Sequence, residues 1–200
     1  MTQVYPMVGQ VLLLSALISL LIAKRINNIR VRIAVVVVFT TFGILIPLSG
    51  LTFAQWLRSI IGDLSVLTLV ILIDILMQRV FTRMIISPKS RKIFLFGVVL
   101  VGVIFYPLAL GVSNFDPYRL GYEPMNITAV LCIVSIGAWF KSKKDLAVLL
   151  LLPLLIFNLH LMESYNLWDY LLDPVLLIYA LFQTAIVLQP VKFKQKVKVP

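Results

Sequence analysis

The basic residues of this chain lie in four patches that are separated by long apolar stretches. Sixteen of the 18 Lys and Arg residues fall into these patches. Lys and Arg accumulate in short loops on the cytoplasmic side of a membrane, so we expect all four patches to share one side. The alternation therefore predicts a polytopic membrane protein. The patches are Lys24, Arg25, Arg30 and Arg32; Arg79, Arg83, Lys89, Arg91 and Lys92; Lys141, Lys143 and Lys144; and Lys192, Lys194, Lys196 and Lys198.

The composition favours a membrane protein over a soluble one. The chain is 61% hydrophobic and 13% charged, with a mean hydropathy of +1.04, whereas soluble domains are about 45–50% apolar and 25% charged. Its net charge of +10 lies beside apolar spans, where it sets topology and contacts anionic lipid headgroups. We therefore expect membrane lipids, and not nucleic acid, as partners. A single cysteine, Cys132, excludes an intrachain disulfide.

Seven apolar segments approach the 17–25 residues that a membrane-spanning helix needs. We predict an all-α, polytopic transmembrane helical bundle of about seven spans. Four basic loops on the inside then require the N-terminus outside and the C-terminus inside. The single transmembrane domain covers residues 1–190, and residues 191–200 form a basic cytoplasmic tail. Residues 51–61 are too polar to cross and predict a short outer interfacial helix. The predicted spans cover residues 5–23, 33–49, 63–80, 93–112, 125–140, 146–162 and 171–188.

Two predicted outer loops, residues 114–124 and 163–174, are rich in aromatic and acidic residues, and together we call them the cap. Six of the seven tyrosines and two of the three tryptophans lie on this outer side. An aromatic belt at the headgroup level would explain them, but a belt occupies both interfaces. Their concentration on one side favours an ordered cap that binds a ligand or a partner.

Some outer acids have a structural explanation. Aspartate before proline is typical of a helix start, which fits Asp116 and Asp173, and Asp63 can cap the third span. The candidate ligand or partner site comprises Arg58, Asp63, Tyr118, Arg119, His160, Glu163, Trp168 and Asp169.

Within this set, His160 and Glu163 are three residues apart, which places them on one face of a continuous helix. Such a pair can relay a proton, hold a headgroup amine, or form a satisfied polar pair with a neighbouring span. Arg58 and Arg119 are the predicted outer cations. Salt bridges to the outer acids and bidentate capture of a phosphate both fit their chemistry.

Asp74 is the one acid well inside a predicted span, and an intramembrane carboxylate is a functional candidate. It follows Asp63 by eleven residues, so both would lie on nearly the same helix face about 16 Å apart. That placement suits a proton or cation path. An ion pair with Arg79 or the nearby basic patch fits as well.

The chain carries no recognisable catalytic signature. One histidine and one cysteine cannot provide bis-histidine haem ligation or a structural zinc set. A Gly-rich phosphate loop, a paired His-Glu metalloprotease motif and a Gly-x-Ser-x-Gly elbow are all missing. We therefore predict no metal and no cofactor, and we favour a non-catalytic role over an enzymatic one.

Two runs resemble those of small inner-membrane proteins of Gram-negative bacteria: residues 115–122 (FDPYRLGY) and 166–174 (NLWDYLLDP). Residues 58–72 are loosely similar to the membrane portion of lipid-headgroup transferases of the alkaline-phosphatase superfamily. Those enzymes carry a large outer catalytic domain with a metal-bound Thr or Ser nucleophile, which this chain lacks. The resemblance therefore implies an envelope context and not their activity.

The sequence is consistent with three functions, each of which we expect in the bacterial inner membrane. The first is a non-catalytic, multi-pass component of envelope assembly or maintenance, whose cap docks a protein partner or a second copy of the chain. The second is a small transporter or lipid flippase that uses Asp74, Asp63 and the outer arginines. The third is an enzyme acting on a lipid or isoprenoid phosphate, with His160 and Glu163 as acid and base and Arg119 on the phosphate.

Overall fold

The computed structural model describes residues 4–22 and 25–188. Over these residues the chain is mainly helical, which confirms the predicted all-α class. The predicted basic tail, residues 191–200, lies outside the described residues. In chain order the elements are α1 (Val4–Ile22), α2 (Ile29–Leu45), β1 (Pro47–Leu48), β2 (Leu51–Thr52), α3 (Phe53–Ile61), α4 (Val66–Phe81), α5 (Pro88–Ala109), a 3₁₀ helix (Pro117–Gly121), α6 (Met125–Phe140), α7 (Lys144–Asn158), α8 (Leu167–Leu171) and α9 (Pro174–Leu188).

Seven of these helices fall on the seven predicted segments, with α6 matching at both ends. Within the described ranges, α5 is the one helix both long and apolar enough to cross a membrane, and shorter apolar helices cover Met7–Ile22, Met125–Phe140 and Pro174–Leu188. A helix of 15 or 16 residues is about 22–24 Å long, less than the roughly 30 Å of a hydrocarbon core. The seven-span bundle therefore stays a prediction.

Hydroxyl caps define where the central helices begin. Ser65 caps α4 by accepting a hydrogen bond from the Thr68 N–H at 3.2 Å. Ser87 caps α5 in the same way, with Pro88 in the first turn. The prediction that Asp63 caps this span was wrong, because the helix begins three residues later and Asp63 lies in the preceding loop.

A short helix, α3, is present within the predicted residues 51–61, and its interfacial placement stays a prediction. A two-residue antiparallel hairpin precedes it. The hairpin pairs Pro47 with Thr52. Ser49 and Gly50 form its turn with positive φ angles of 54° and 88°. Thr52 and Gln55 then form a capping box that starts α3. This short element closes the loop between α2 and α4.

Helix α4 lies at the centre of the bundle and packs against α1, α2, α7, α8 and α9. Around it, α1 pairs with α2, α5 with α9, and α6 with α7. Nine of the 16 residues of α4 are buried. Two of these are polar, Thr68 and Asp74, and buried polar groups need partners. They mark two places where the core around α4 carries polar bonds.

The segments predicted to be outer meet at one end of the bundle, which we call the cap end. Gln10 of α1 donates to the Gly62 carbonyl at 3.2 Å, and the Tyr5 hydroxyl donates to the Leu64 carbonyl at 3.0 Å. Asp173 reaches the start of α4 by accepting from the Ser65 N–H at 2.8 Å.

The segments predicted to be inner meet at the opposite end, which we call the basic end. Arg32 donates to the carbonyl of Arg79, and Arg91 donates to the Tyr179 hydroxyl at 2.6 Å. Asp145 accepts from the Ser87 N–H at 2.7 Å. The loops of the fold therefore alternate between two ends in the predicted order.

Candidate functional site

The two runs of the cap are joined by the side chain of Asn166, which is fully buried. Its Nδ2 donates to the Tyr118 carbonyl at 2.9 Å, and its Oδ1 accepts from the Trp168 N–H at 2.9 Å. The Trp168 indole Nε1–H donates to the Pro117 carbonyl at 2.9 Å. A Cβ at Gly121 would lie 1.7 Å from the Asn166 Oδ1. The close approach therefore requires glycine at position 121.

A second set of polar bonds centres on Asp169. Its carboxylate accepts from the Tyr118 hydroxyl at 3.0 and 3.1 Å and from the Ser164 hydroxyl at 2.5 Å. Burial raises the pKa of Tyr118, and the Asp169 charge and hydrogen bond raise it further. The phenol therefore stays protonated at neutral pH and acts as a donor. Tyr170, fully buried, donates to the Ser164 carbonyl at 3.1 Å.

Aromatic side chains of the cap pack against α5. The ring centroids of Phe105 and Trp168 are 4.5 Å apart, and those of Phe105 and Tyr118 are 6.4 Å apart. Tyr118 also meets Tyr122 edge to face at 5.8 Å. Such pairs add to the stability that burial of the rings provides. Tyr118 and Trp168 therefore hold the cap together.

The predicted role of Asp173 as a helix cap is confirmed, and the same side chain has a second structural role. Its Oδ1 accepts from the Leu176 N–H at 2.8 Å in the first turn of α9. Its Oδ2 accepts from the Ser65 N–H at 2.8 Å and from the Thr68 hydroxyl at the start of α4. One carboxylate, 5% exposed, thereby ties two helix starts to the cap. The predicted cap at Asp116 is also confirmed, because its side chain accepts from the Tyr118 N–H.

A cavity of about 540 Å³ opens between the cap, α5 and the loop before α4. Five of the eight candidate site residues line it. Asp173 and Tyr106 line it as well, so its wall combines four carboxylates with aromatic rings. The five candidate residues are Asp63, Tyr118, Glu163, Trp168 and Asp169.

The other three candidates lie elsewhere. Arg58 is bound to Asp63, with its Nε 2.8 Å from Oδ1, as the salt-bridge alternative predicted. Arg119 lines a separate cleft on the other side of the 3₁₀ helix. His160 lines neither space.

The predicted helical pair of His160 and Glu163 was wrong. Helix α7 ends at Asn158, and His160 adopts a left-handed backbone with φ of 49°. The two residues therefore share no helix face. The His160 ring lies instead between Phe157 and Tyr165, with centroid distances of 6.3 Å to each.

Asp74 does not extend a path from Asp63, which precedes α4 and lies off its face. It is fully buried at the basic end, where its Oδ2 lies 3.1 Å from Nη1 of Arg91. Gln78 donates to it at 2.7 Å, and the Ile85 and Ile86 N–H groups donate at 2.9 and 3.2 Å. The predicted ion pair exists, but its partner is Arg91 and not Arg79.

Sequence reasoning missed the residues that hold the cap together, chiefly Asn166 and Gly121. A signal for Asn166 was present, since asparagine one residue before a short helix is a common N-cap. Nothing local marks Gly121, because its partner is 45 positions away. In the described part of the chain, no three His, Cys, Asp or Glu residues are grouped to hold a metal.

Comparison with known proteins found no relative. No protein-family model matches the chain, and no curated protein or solved structure gave a significant match. The resemblance of residues 115–122 and 166–174 to inner-membrane proteins therefore stays a prediction.

Proposed function

We propose that the chain is a non-catalytic, multi-pass protein of the bacterial inner membrane that supports envelope assembly or maintenance by docking a protein partner on its cap. The bundle would have about seven spans, with the cap end outside and the basic end inside. Lys and Arg at the basic end match the positive-inside rule. Large apolar side chains cover the outside of the helices, where a bilayer would solvate them; examples are Phe39, Phe96, Ile133 and Ile178.

The observation that carries the docking proposal is the outward aromatic surface of an internally bonded cap. Phe115, Tyr122 and Tyr165 are 54%, 59% and 75% exposed. They project from segments of the cap that Asn166 and Asp169 already fix. Two of them, Phe115 and Tyr122, line the cleft that also holds Arg119. Aromatic anchors on a preorganised surface lose little conformational entropy on binding and dominate interface energetics.

The two alternative functions draw less support from the geometry. A transport path would need an accessible carboxylate within the bundle, whereas Asp74 is fully buried and bonded to four donors. An enzyme built on His160, Glu163 and Arg119 would need these groups to converge. Of the three, only Glu163 lines the cavity between the cap and α5.

The test compares proteins retained by the cap with those retained by the basic end. Tagged chain is extracted from its native membrane in mild detergent, and co-purifying proteins are quantified by mass spectrometry. We expect one stoichiometric partner whose recovery falls about 30-fold in the Tyr122→Ala, Tyr165→Ala double variant, the loss expected of a hot spot of about 2 kcal/mol.

The matched control is Phe140→Ala, which removes an 83% exposed aromatic side chain at the basic end and should leave recovery unchanged. Trp168→Ala and Tyr118→Ala are poor test variants, because both side chains hold the cap together. Equal recovery of the partner by the cap variant, or no protein enriched over an unrelated membrane protein, would refute docking on the cap.

A further inference from the structure

An apolar groove of about 480 Å³ runs between α5 and α6. Ile93, Gly97 and Val101 form one wall, and Val130 and Val134 form the other. Side chains of α4, α7 and α8 make its floor. The groove is thus open on the side that faces away from the bundle.

At the cap end this groove continues into the polar cleft that holds Arg119. Leu120 and Asn126 line both spaces. Arg119 and Glu123 line the cleft and are exposed, and neither side chain makes a hydrogen bond or an ion pair with another described residue. The cleft therefore offers one unpaired guanidinium and one unpaired carboxylate above an apolar channel.

The length of the groove matches one leaflet of a bilayer. Its lining runs from Ile93 to Val101 on α5 and from Asn126 to Val134 on α6. Eight residues of helix rise about 12 Å, and half of a hydrocarbon core is about 15 Å. The groove therefore accommodates a single acyl chain that enters from the cap end.

We propose that the groove and cleft bind one phospholipid whose headgroup carries a primary amine. The acyl chain lies between α5 and α6, the phosphate bonds to the Arg119 guanidinium, and the ammonium bonds to the Glu123 carboxylate. A guanidinium presents a fork to phosphate oxygens. Asp116 also lines the cleft. The two carboxylates of the cleft, Asp116 and Glu123, therefore disfavour a headgroup with net negative charge. The proposal rests on the membrane insertion proposed above but needs no docked protein.

The decisive variant fills the groove without disturbing the bundle. A Cβ added at Gly97 meets no atom within 4 Å, so Gly97→Leu places a side chain in the space assigned to the acyl chain. Gly137 of α6 is equally open and does not line the groove. Gly137→Leu is therefore a matched control with the same gain in helix propensity.

Binding is measured by native mass spectrometry of the delipidated chain, titrated with phosphatidylethanolamine or with phosphatidylglycerol of the same acyl chains. We expect Gly97→Leu to weaken phosphatidylethanolamine binding about tenfold or more and Gly137→Leu to leave it unchanged, a difference of about 1.4 kcal/mol. Arg119→Gln should weaken both lipids, whereas Glu123→Gln should remove the preference for phosphatidylethanolamine.

Wild-type binding of phosphatidylethanolamine by Gly97→Leu would overturn the groove as the acyl-chain site. Equal or tighter binding of phosphatidylglycerol by the wild-type chain would overturn the assigned headgroup. A Gly97→Leu chain that loses lipid yet retains the protein partner of the cap separates this proposal from the docking function.

Discussion

At the scale of single residues, three carboxylates connect segments of the chain: Asp74 and Asp173 are buried, and Asp145 is partly buried. Asp74 accepts from the Ile85 and Ile86 N–H groups, Asp145 from Ser87, and Asp173 from Ser65. In each case a carboxylate accepts from backbone N–H groups of another segment. The donors of Asp74 and Asp173 lie in the interior, where leaving them unpaired would be costly. Asp74, which the sequence suggested for a proton or cation path, thus stabilises the fold.

Replacement of Asp74 should destabilise the protein rather than abolish a transport step. Asp74→Asn leaves Arg91, whose side chain is 18% exposed, without its counter-charge. Breaking a buried ion pair by removing one partner costs about 3–5 kcal/mol. We expect a clear fall in the midpoint of thermal unfolding in detergent. The Asp74→Asn, Arg91→Gln double variant should lose less than the sum of the two single variants, and an unchanged midpoint in Asp74→Asn would contradict the role.

The spacing of His160 and Glu163 predicted a shared helix face that the structure does not have. Three positions separate the two residues, and the apolar run gave no sign that α7 ends before them. The helix stops at Asn158 because the chain turns through a left-handed residue. The turn carries Glu163 to the cavity wall and leaves His160 outside it.

At the scale of elements, Asp145 joins the first turns of α5 and α7. It accepts from the Ser87 N–H, the Ser90 hydroxyl and its neighbour, the Leu146 N–H. Partial burial raises the pKa of Asp145, but these hydrogen bonds outweigh it and lower the pKa from 3.8 to about 2. The residue lies on the basic side of the predicted span that begins at Leu146. It is therefore a pH-dependent connection between the two helices.

The sign of this dependence follows from the lowered pKa. A carboxylate whose pKa is lower in the folded state stabilises the fold above its unfolded pKa, and the stabilisation is lost as pH falls through the folded value. Asp145→Asn should therefore lower the unfolding midpoint at pH 7, and the difference from wild type should shrink between about pH 4 and pH 2. Glu163→Gln is the control, since its carboxylate accepts no hydrogen bond from the described residues. A difference that stays constant with pH would contradict this role of Asp145.

Helix positions were largely predictable, and their boundaries were not. Apolar runs located all seven long helices because each run must be buried or solvated by lipid. Helix α5 begins five residues before its predicted start, at Pro88, directly after the Ser87 cap. Helix α4 begins three residues after its predicted start, at Val66, directly after the Ser65 cap. In both cases a local cap decided the boundary, and hydropathy does not report caps.

At the scale of the whole molecule, the fold has one aromatic and acidic end and one basic end. The proposed topology places the cap end outside, which can be tested by thiol labelling in a Cys132→Ala background. Tyr165 and Met84 are 75% and 62% exposed, one in the cap and one between α4 and α5. A membrane-impermeant maleimide should label Tyr165→Cys in intact spheroplasts and Met84→Cys only after lysis, following the positive-inside rule. Labelling of both in intact spheroplasts, or the reverse order, would contradict the topology.

The sequence by itself determined which segments are helical and which loops gather at the same end, because apolar periods and charge alternation are local properties of the chain. Only the tertiary structure decided which polar residues meet. Asn166 lies against Gly121, Asp173 accepts a hydrogen bond from the Ser65 N–H at the start of α4, and Arg119 lines a different space from Glu163. Such contacts join positions tens of residues apart, and no spacing rule encodes them, since they arise when helices pack and buried donors must find acceptors.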